Sequence, residues 1–155
     1  MRTGDLASAI GKGLVAGAVG TAAMTVSSTI EAKLTKRDPS TAPADAASKV
    51  LGIEPKDDQA KDRFSNLVHW SYGTGWGAVR GLIATLGLPG PAPAMAHFAS
   101  VWGSGLVMLP AVEVAPPVSE WGAKALATDA WHHAVYATAT SLAYGYLDRH
   151  RIQAC

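Results

Sequence analysis

Four apolar stretches, each close to the length of a membrane crossing, constrain this chain more than any other feature. They run at about 10–30, 64–88, 92–114 and 121–147, the last opening at Trp121 or Ala130. Each is near the roughly 20 residues that cross a ~30 Å hydrocarbon core. Only Lys12 interrupts the first, near its start, and Arg80 lies inside the second. None carries the charged face of a soluble bundle helix of that length. The spacing predicts an all-α chain: an integral membrane four-helix bundle forming one domain over 1–155. A soluble alanine-rich bundle is the alternative.

Composition fits once the kind of apolar residue is considered. Charged residues are 16% and hydrophobic ones 48%, yet the mean hydropathy is only +0.13. Ala, Gly, Ser and Thr build much of the apolar stretches. They lower a hydropathy score while permitting close helix packing in lipid. A net charge of +1 supplies no basic stripe and argues against nucleic acid as a partner. The single cysteine, Cys155, ends the chain and makes no internal disulfide. Five Trp and four Tyr suit the membrane–water interface. A cleavable signal peptide is the rival reading of the first stretch, but the apolar run is longer than such a segment.

The connections differ in kind. A polar loop over 33–63 holds Pro39, Pro43 and Pro55, with an amphipathic piece around 44–53 that suits the membrane surface. A chargeless turn, Gly87-Leu88-Pro89-Gly90-Pro91-Ala92-Pro93, stops one helix and starts the next. The third connection runs from Ala115 through Pro116 and Pro117 to Glu120. Four crossings put both termini on one side. Seven Lys and Arg in the first loop plus Lys124 favour the loops inside, against Arg2, Lys12, Arg149 and Arg151. The short basic ending Asp148-Arg149-His150-Arg151 resembles a cytoplasmic anchor, so orientation stays open.

Stretches two and four share the string H-x-x-Y-x-T-x6-G: His69, Tyr72, Thr74 and Gly81 against His133, Tyr136, Thr138 and Gly145. Two crossings per unit would give halves of like orientation, a parallel repeat. At 1.5 Å per residue His69 lies ~9 Å beyond Arg63, and His133 ~6 Å beyond Asp129. Glu31 and Glu113 close stretches one and three at that same end. One membrane face is therefore expected to gather Glu31, Glu113, His69, His132, His133, Asp129, Tyr72 and Tyr136. Ionisable groups inside a span are costly and point to function; histidine with carboxylate suits proton transfer or a transition metal. The bland alternative is that they bond headgroups or one another and set helix register.

Arg80 stands apart, ~12 Å from the nearer end of its stretch. It either snorkels or pairs inside the bundle, with His97, Ser100 and Ser104 as the polar stripe to face. His69 and His133 are also the pair to test as axial haem ligands in a four-helix bundle, though no haem-attachment cysteine motif occurs. No cofactor is otherwise expected. HExxH, G-x-S-x-G, P-loop and CxxC patterns are absent from the sequence, so nothing marks an enzyme. Gly13, Gly17, Thr21 and Thr25 recur at four-residue spacing, with Gly20 beside them. That is a face for close helix contact, within the bundle or with another copy.

Together, several of these residues resemble the YagU-like class of small bacterial inner-membrane proteins of unknown function. The likeness runs from Gly13-Leu14-Val15-Ala16-Gly17 to Met24-Thr25, through His69, Tyr72 and Gly73 and the Pro116-Pro117 break. It ends with His132-His133 and Tyr144-Gly145. It implies a multi-pass protein of the bacterial inner membrane and assigns no ligand or catalytic residue. The expected role is accessory, assembly or structural, with lipids, a second copy or a larger membrane complex as partners. The runner-up is a transporter or proton-conducting protein using the His/Glu/Asp face. A haem or metal redox protein comes third.

Overall fold

A computed structural model describes residues 3–37 and 40–152; Arg2, Pro39 and Cys155 lie outside them. The described residues form an all-α chain with five α-helices and no strand. These are α1 (Thr3–Thr35), α2 (Ala42–Leu51), α3 (Asp58–Ala84), α4 (Ala92–Ala111) and α5 (Ala123–Ile152), with a 3-10 turn at Val118–Glu120. Four long helices match the four apolar stretches, and α2 is the amphipathic piece of the polar loop.

Local chemistry explains where the helices depart from the expected limits. α3 starts six residues before 64 because the Asp57 carboxylate caps it, accepting from the Ala60 amide at 2.7 Å. It ends at Ala84 rather than 88 because Gly87 and Gly90 take positive φ (66° and 55°), opening the turn that Pro89 and Pro91 complete. Pro93 sits in the first turn of α4, where its missing amide costs no bond. α4 stops at Ala111: Pro110 occupies its last turn, and Glu113 turns left-handed at φ 56°. α1 and α5 both run past their apolar stretches into polar residues.

Neighbouring contacts fix the directions. Thr25 meets His69 and Ser27 meets His132, while Lys12 meets Asp148 at the other end. α1 is therefore antiparallel to both α3 and α5. Trp102 meeting Asp129 makes α4 antiparallel to α5. The end that carries α2, Glu31 and the start of α5 is here the loop end; the other is the terminal end. α1 lies between α3 and α5, and α4 closes the bundle against α5 and α3.

The α1–α3 seam is made of backbone. Gly13 and Gly17 of α1 lie on Gly73 and Gly77 of α3, and Gly81 lies on the carbonyl of Ala9. A methyl group at Gly77 would meet the Gly13 carbonyl oxygen, with the Gly17 Cα only 2.6 Å away. The small-residue face of α1 thus packs inside the chain. On the α5 side, Gly20 accepts the Tyr136 ring and the Thr140 hydroxyl against it.

The interior holds small, aromatic and polar side chains more than large aliphatic ones. Buried positions hold Ala9, Ala16, Thr21, Arg80, His97, His132 and Thr140, alongside the glycine seam, and few large aliphatics. The large aliphatics face outward: Val15, Val107 and Leu142 are 57%, 71% and 70% exposed. Leu14, Val19, Val26 and Ile30 of α1 and Met95 of α4 are exposed with them. A single exposed Leu means little, but here whole helix faces are apolar.

The repeat holds in direction but not in surroundings. Units α1–α3 and α4–α5 run alike, as two parallel halves would. Gly81 is pressed against Ala9, however, whereas among the described residues Gly145 has nothing within 4 Å of the position its Cβ would take. Tyr136 is buried and Tyr72 is exposed.

Candidate functional site

Polar groups line the inside of the bundle along one stripe of α5. His132, Tyr136, Thr140, Tyr144 and Asp148 follow one another at four-residue intervals, which on an α-helix puts them on one face. The first four are buried. The stripe faces α1 and α3 and meets a different partner at each level.

At the loop end, His132 Nδ1 lies 2.9 Å from Ser27 Oγ. Its Nε2 is 3.8 Å from Glu31 Oε2, longer than a hydrogen bond. Glu31 is held by Arg37 at 2.8 and 3.2 Å and by the Thr35 hydroxyl at 3.0 Å. His69 Nε2 lies 3.0 Å from Thr25 Oγ1. Asp129 accepts from Trp102 Nε1 at 2.9 Å. Its neighbour His133 is turned back to its own helix, Nδ1 lying 2.9 Å from the Asp129 carbonyl oxygen. Among the expected cluster, Glu31, His69, Asp129, His132 and His133 therefore do share the loop end.

Three of the expected residues do not join this group. Glu113 is beyond the end of α4, where its carbonyl accepts from Lys49 at 2.9 Å and its side chain is 88% exposed. Tyr72 sits on the outer surface, edge-on to Trp76 at 6.0 Å. Tyr136 is deeper, its hydroxyl donating to the Gly73 carbonyl at 2.6 Å. His69 and His133, the pair considered for haem, point to separate partners, one across to α1 and one along α5. Among the described residues, no three His, Cys, Asp or Glu side chains gather as a metal-binding group.

The middle of the bundle is built around His97 and Arg80. His97 is fully buried; its Nε2 lies 3.0 Å from the Trp76 carbonyl oxygen and its ring 5.5 Å from that of Tyr136. A carbonyl only accepts, so Nε2 carries the proton and donates, leaving Nδ1 of the neutral ring as a bare acceptor. Among the described residues that nitrogen has no hydrogen-bond partner. Arg80 neither snorkels nor faces the α4 stripe. It is 8% exposed and reaches α5, where Nε donates to Ser141 Oγ at 3.0 Å and the guanidinium lies 4.7 Å from the centre of the Tyr144 ring. This is a cation–π contact. Ser100 and Ser104 instead bond to carbonyls of their own helix, Ala96 and Val101. Arg80 Nη1 is buried without a hydrogen-bond partner among the described residues. Asp148, one turn beyond Tyr144, is engaged by Lys12 at 2.6 Å.

Sequence reasoning missed Ser27, Thr140, Ser141 and Tyr144. The four-residue recurrence from His132 to Asp148 is the available signal; the H-x-x-Y-x-T-x6-G string crosses it only at Tyr136. Set against known protein families, curated proteins and solved structures, the chain matches none of them.

Proposed function

We propose that the chain is a four-span integral membrane protein with an accessory, assembly or structural role and no catalytic centre of its own. The observation that carries this reading is the inverted polarity: glycine, alanine and buried polar side chains inside, large aliphatics outside. In water that arrangement leaves whole apolar faces wet; in lipid it is the expected one, because helix association there rests on close packing and interhelical hydrogen bonds. Two helices, α1 and α4, are long and apolar enough to cross a membrane by length and composition. In this reading α3 and α5 cross with them, their polar groups turned to one another and to α1. The resemblance to YagU-like proteins agrees with it and suggests the bacterial inner membrane. The accessory role is tested by purifying the tagged chain in mild detergent. A stoichiometric membrane partner, or a defined homo-oligomer, supports it; a monomer with no partner under crosslinking contradicts it.

The transport or proton-conducting reading is favoured by one specific feature, the line of polar groups from Glu31 through His132, Tyr136, His97 and Arg80 to Asp148. Reconstituted vesicles give the test. Proton or solute flux lost in both His132→Ala and His97→Ala variants supports it, and flux indifferent to both contradicts it. A Soret band in the purified protein, lost in His69→Ala or His133→Ala, would instead support haem.

A further inference from the structure

α2 is made of two unlike parts. In its first turns Ala44 and Ala46 are buried, and Asp45 pairs with Lys61 of α3 at 3.2 Å. Its last turn leaves the bundle: Val50, Leu51 and Ile53 are 66%, 62% and 43% exposed. The tip is not slack. Gly52 takes φ 66°, and the amides of Gly52 and Ile53 both close on the Ser48 carbonyl, a helix stop that fixes the chain direction. The position under Ile53 that often holds a large apolar partner in such a stop is Ser48, so the three aliphatics stay uncovered.

The place of this tip matters. Lys49 donates to the Glu113 carbonyl at 2.9 Å and lies 3.7 Å from its carboxylate, which ties the tip to the chain just past the end of α4. The outer surface of α4 is apolar along its length, through Met95 and Val107. The exposed Leu34, in the last turn of α1, lies at this same loop end. Val50, Leu51 and Ile53 therefore sit at the loop end beside the chain that leaves α4, with the charged residues Lys49, Glu54 and Lys56 around them in sequence. Exposed aliphatics interleaved with charged residues suit the boundary between acyl chains and headgroups, where the apolar tip lies in the acyl layer and the charged ends stay in the polar one.

We propose that the Val50–Leu51–Ile53 tip of α2 is an interfacial anchor whose partner is the lipid surface itself. It dips into the headgroup–acyl boundary beside α4 while the small face of α2 stays on α3. The inference rests on the membrane reading above and goes beyond it. The sequence suggested that the α2 segment lies on the membrane; the fold assigns that contact to three residues.

The test uses the full chain with Cys155→Ser and one cysteine at a time: Leu51→Cys, Val107→Cys on the outer face of α4, or Gln59→Cys on the exposed start of α3. Each carries a nitrobenzoxadiazole label and is reconstituted in phosphatidylethanolamine–phosphatidylglycerol vesicles, with and without brominated acyl chains. The expected result is blue-shifted emission at Leu51, with quenching by brominated lipid between that at Val107 and that at Gln59. A Leu51 label that behaves like the Gln59 label, with Val107 quenched, overturns the anchor and leaves the membrane reading standing. Blue-shifted but unquenched emission at Leu51 means that protein, such as a second copy, covers the tip, and also overturns it. If Val107 itself is unquenched, the membrane reading fails and the anchor falls with it.

Discussion

Replacing Gly77 with alanine puts a methyl group on the seam where α1 and α3 touch through backbone alone. That carbon would meet the Gly13 carbonyl oxygen, the Gly17 Cα at 2.6 Å and the Gly17 nitrogen at 2.7 Å. All three are helix backbone, so no side chain can turn aside to relieve the contact. Bringing the Gly17 Cα alone to an ordinary separation near 3.4 Å requires the helices to part by about 0.8 Å, and the closer Gly13 oxygen requires more. A gap of that size forfeits roughly a quarter to a half of each dispersion contact along the seam. Gly13, Gly17, Gly73 and Gly81 share the seam, so the loss spreads over several turns. Overpacking of this kind costs about 1–3 kcal/mol, against about 0.5–1 kcal/mol gained from alanine's helix preference. Gly75 is the matched control on the same helix, since its Cβ would have nothing within 4 Å. Thermal unfolding followed by circular dichroism in detergent should place Gly77→Ala below wild type and Gly75→Ala at or above it. Alanine's helix preference is common to both variants, so the two should differ by the overpacking cost, about 1–3 kcal/mol, or on the order of 2–12 °C for a chain of this size. Equal melting of the two variants would refute the backbone seam.

Further outcomes follow from single contacts. Tyr136→Phe removes the 2.6 Å bond to the Gly73 carbonyl while keeping the ring, and should cost about 0.5–1.5 kcal/mol in the same unfolding assay; no change would mean the hydroxyl is not seated there. Arg80→Lys should destabilise the bundle, because lysine cannot both donate to Ser141 and stack on Tyr144. Lys49→Ala should leave the melt unchanged within about 0.5 kcal/mol, so equal sensitivity of the two sites would return Arg80 to a peripheral role. At α2, the Thr41 hydroxyl and then Lys61 hold the Asp45 carboxyl below its ordinary value of 3.8. A lowered folded value means the contribution is present above 3.8 and lost as pH falls through the lower, folded value. Hydrogen exchange of the α2 amides should therefore accelerate only under strongly acid conditions, and a transition nearer pH 6 would contradict the assignment.

Spacing and hydropathy made much of the fold legible. Four apolar stretches became four long helices, and the Gly13-Gly17-Thr21 spacing found its partner inside the chain. The partner face, Gly73-Gly77-Gly81, has the same spacing, but the more conspicuous His69 and Tyr72 drew attention away from it. Those glycines also explain why matching motifs behave differently. Helix α3 turns its glycines to α1, and Tyr72, about 100° around the helix from Gly73, is carried to the outer surface. Helix α5 meets α1 through Tyr136 and Thr140 against Gly20, so its tyrosine is buried. Rotation of a helix about its axis depends on what it packs against, which four shared letters do not encode. For the same reason Arg80 could be marked as anomalous without its partners being named. Ser141 and Tyr144 lie more than sixty residues away, whereas Ser100 and Ser104 of the expected α4 stripe are nearer in the chain but bond to their own helix. The loop-end gathering was readable from depth counted along each helix. Glu113 escaped it because Pro110 and the left-handed turn at Glu113 send the chain outward.

The solvent that surrounds the apolar faces of α1, α4 and α5 decides between a membrane bundle and a water-soluble one. Membranes from cells expressing the full chain, washed with alkaline carbonate and separated by centrifugation, answer that. The chain should stay in the pellet after the wash and be released only by detergent. Recovery as a monodisperse, detergent-free protein in the supernatant would show that these faces meet water, and the inside-out reading of the bundle would be wrong.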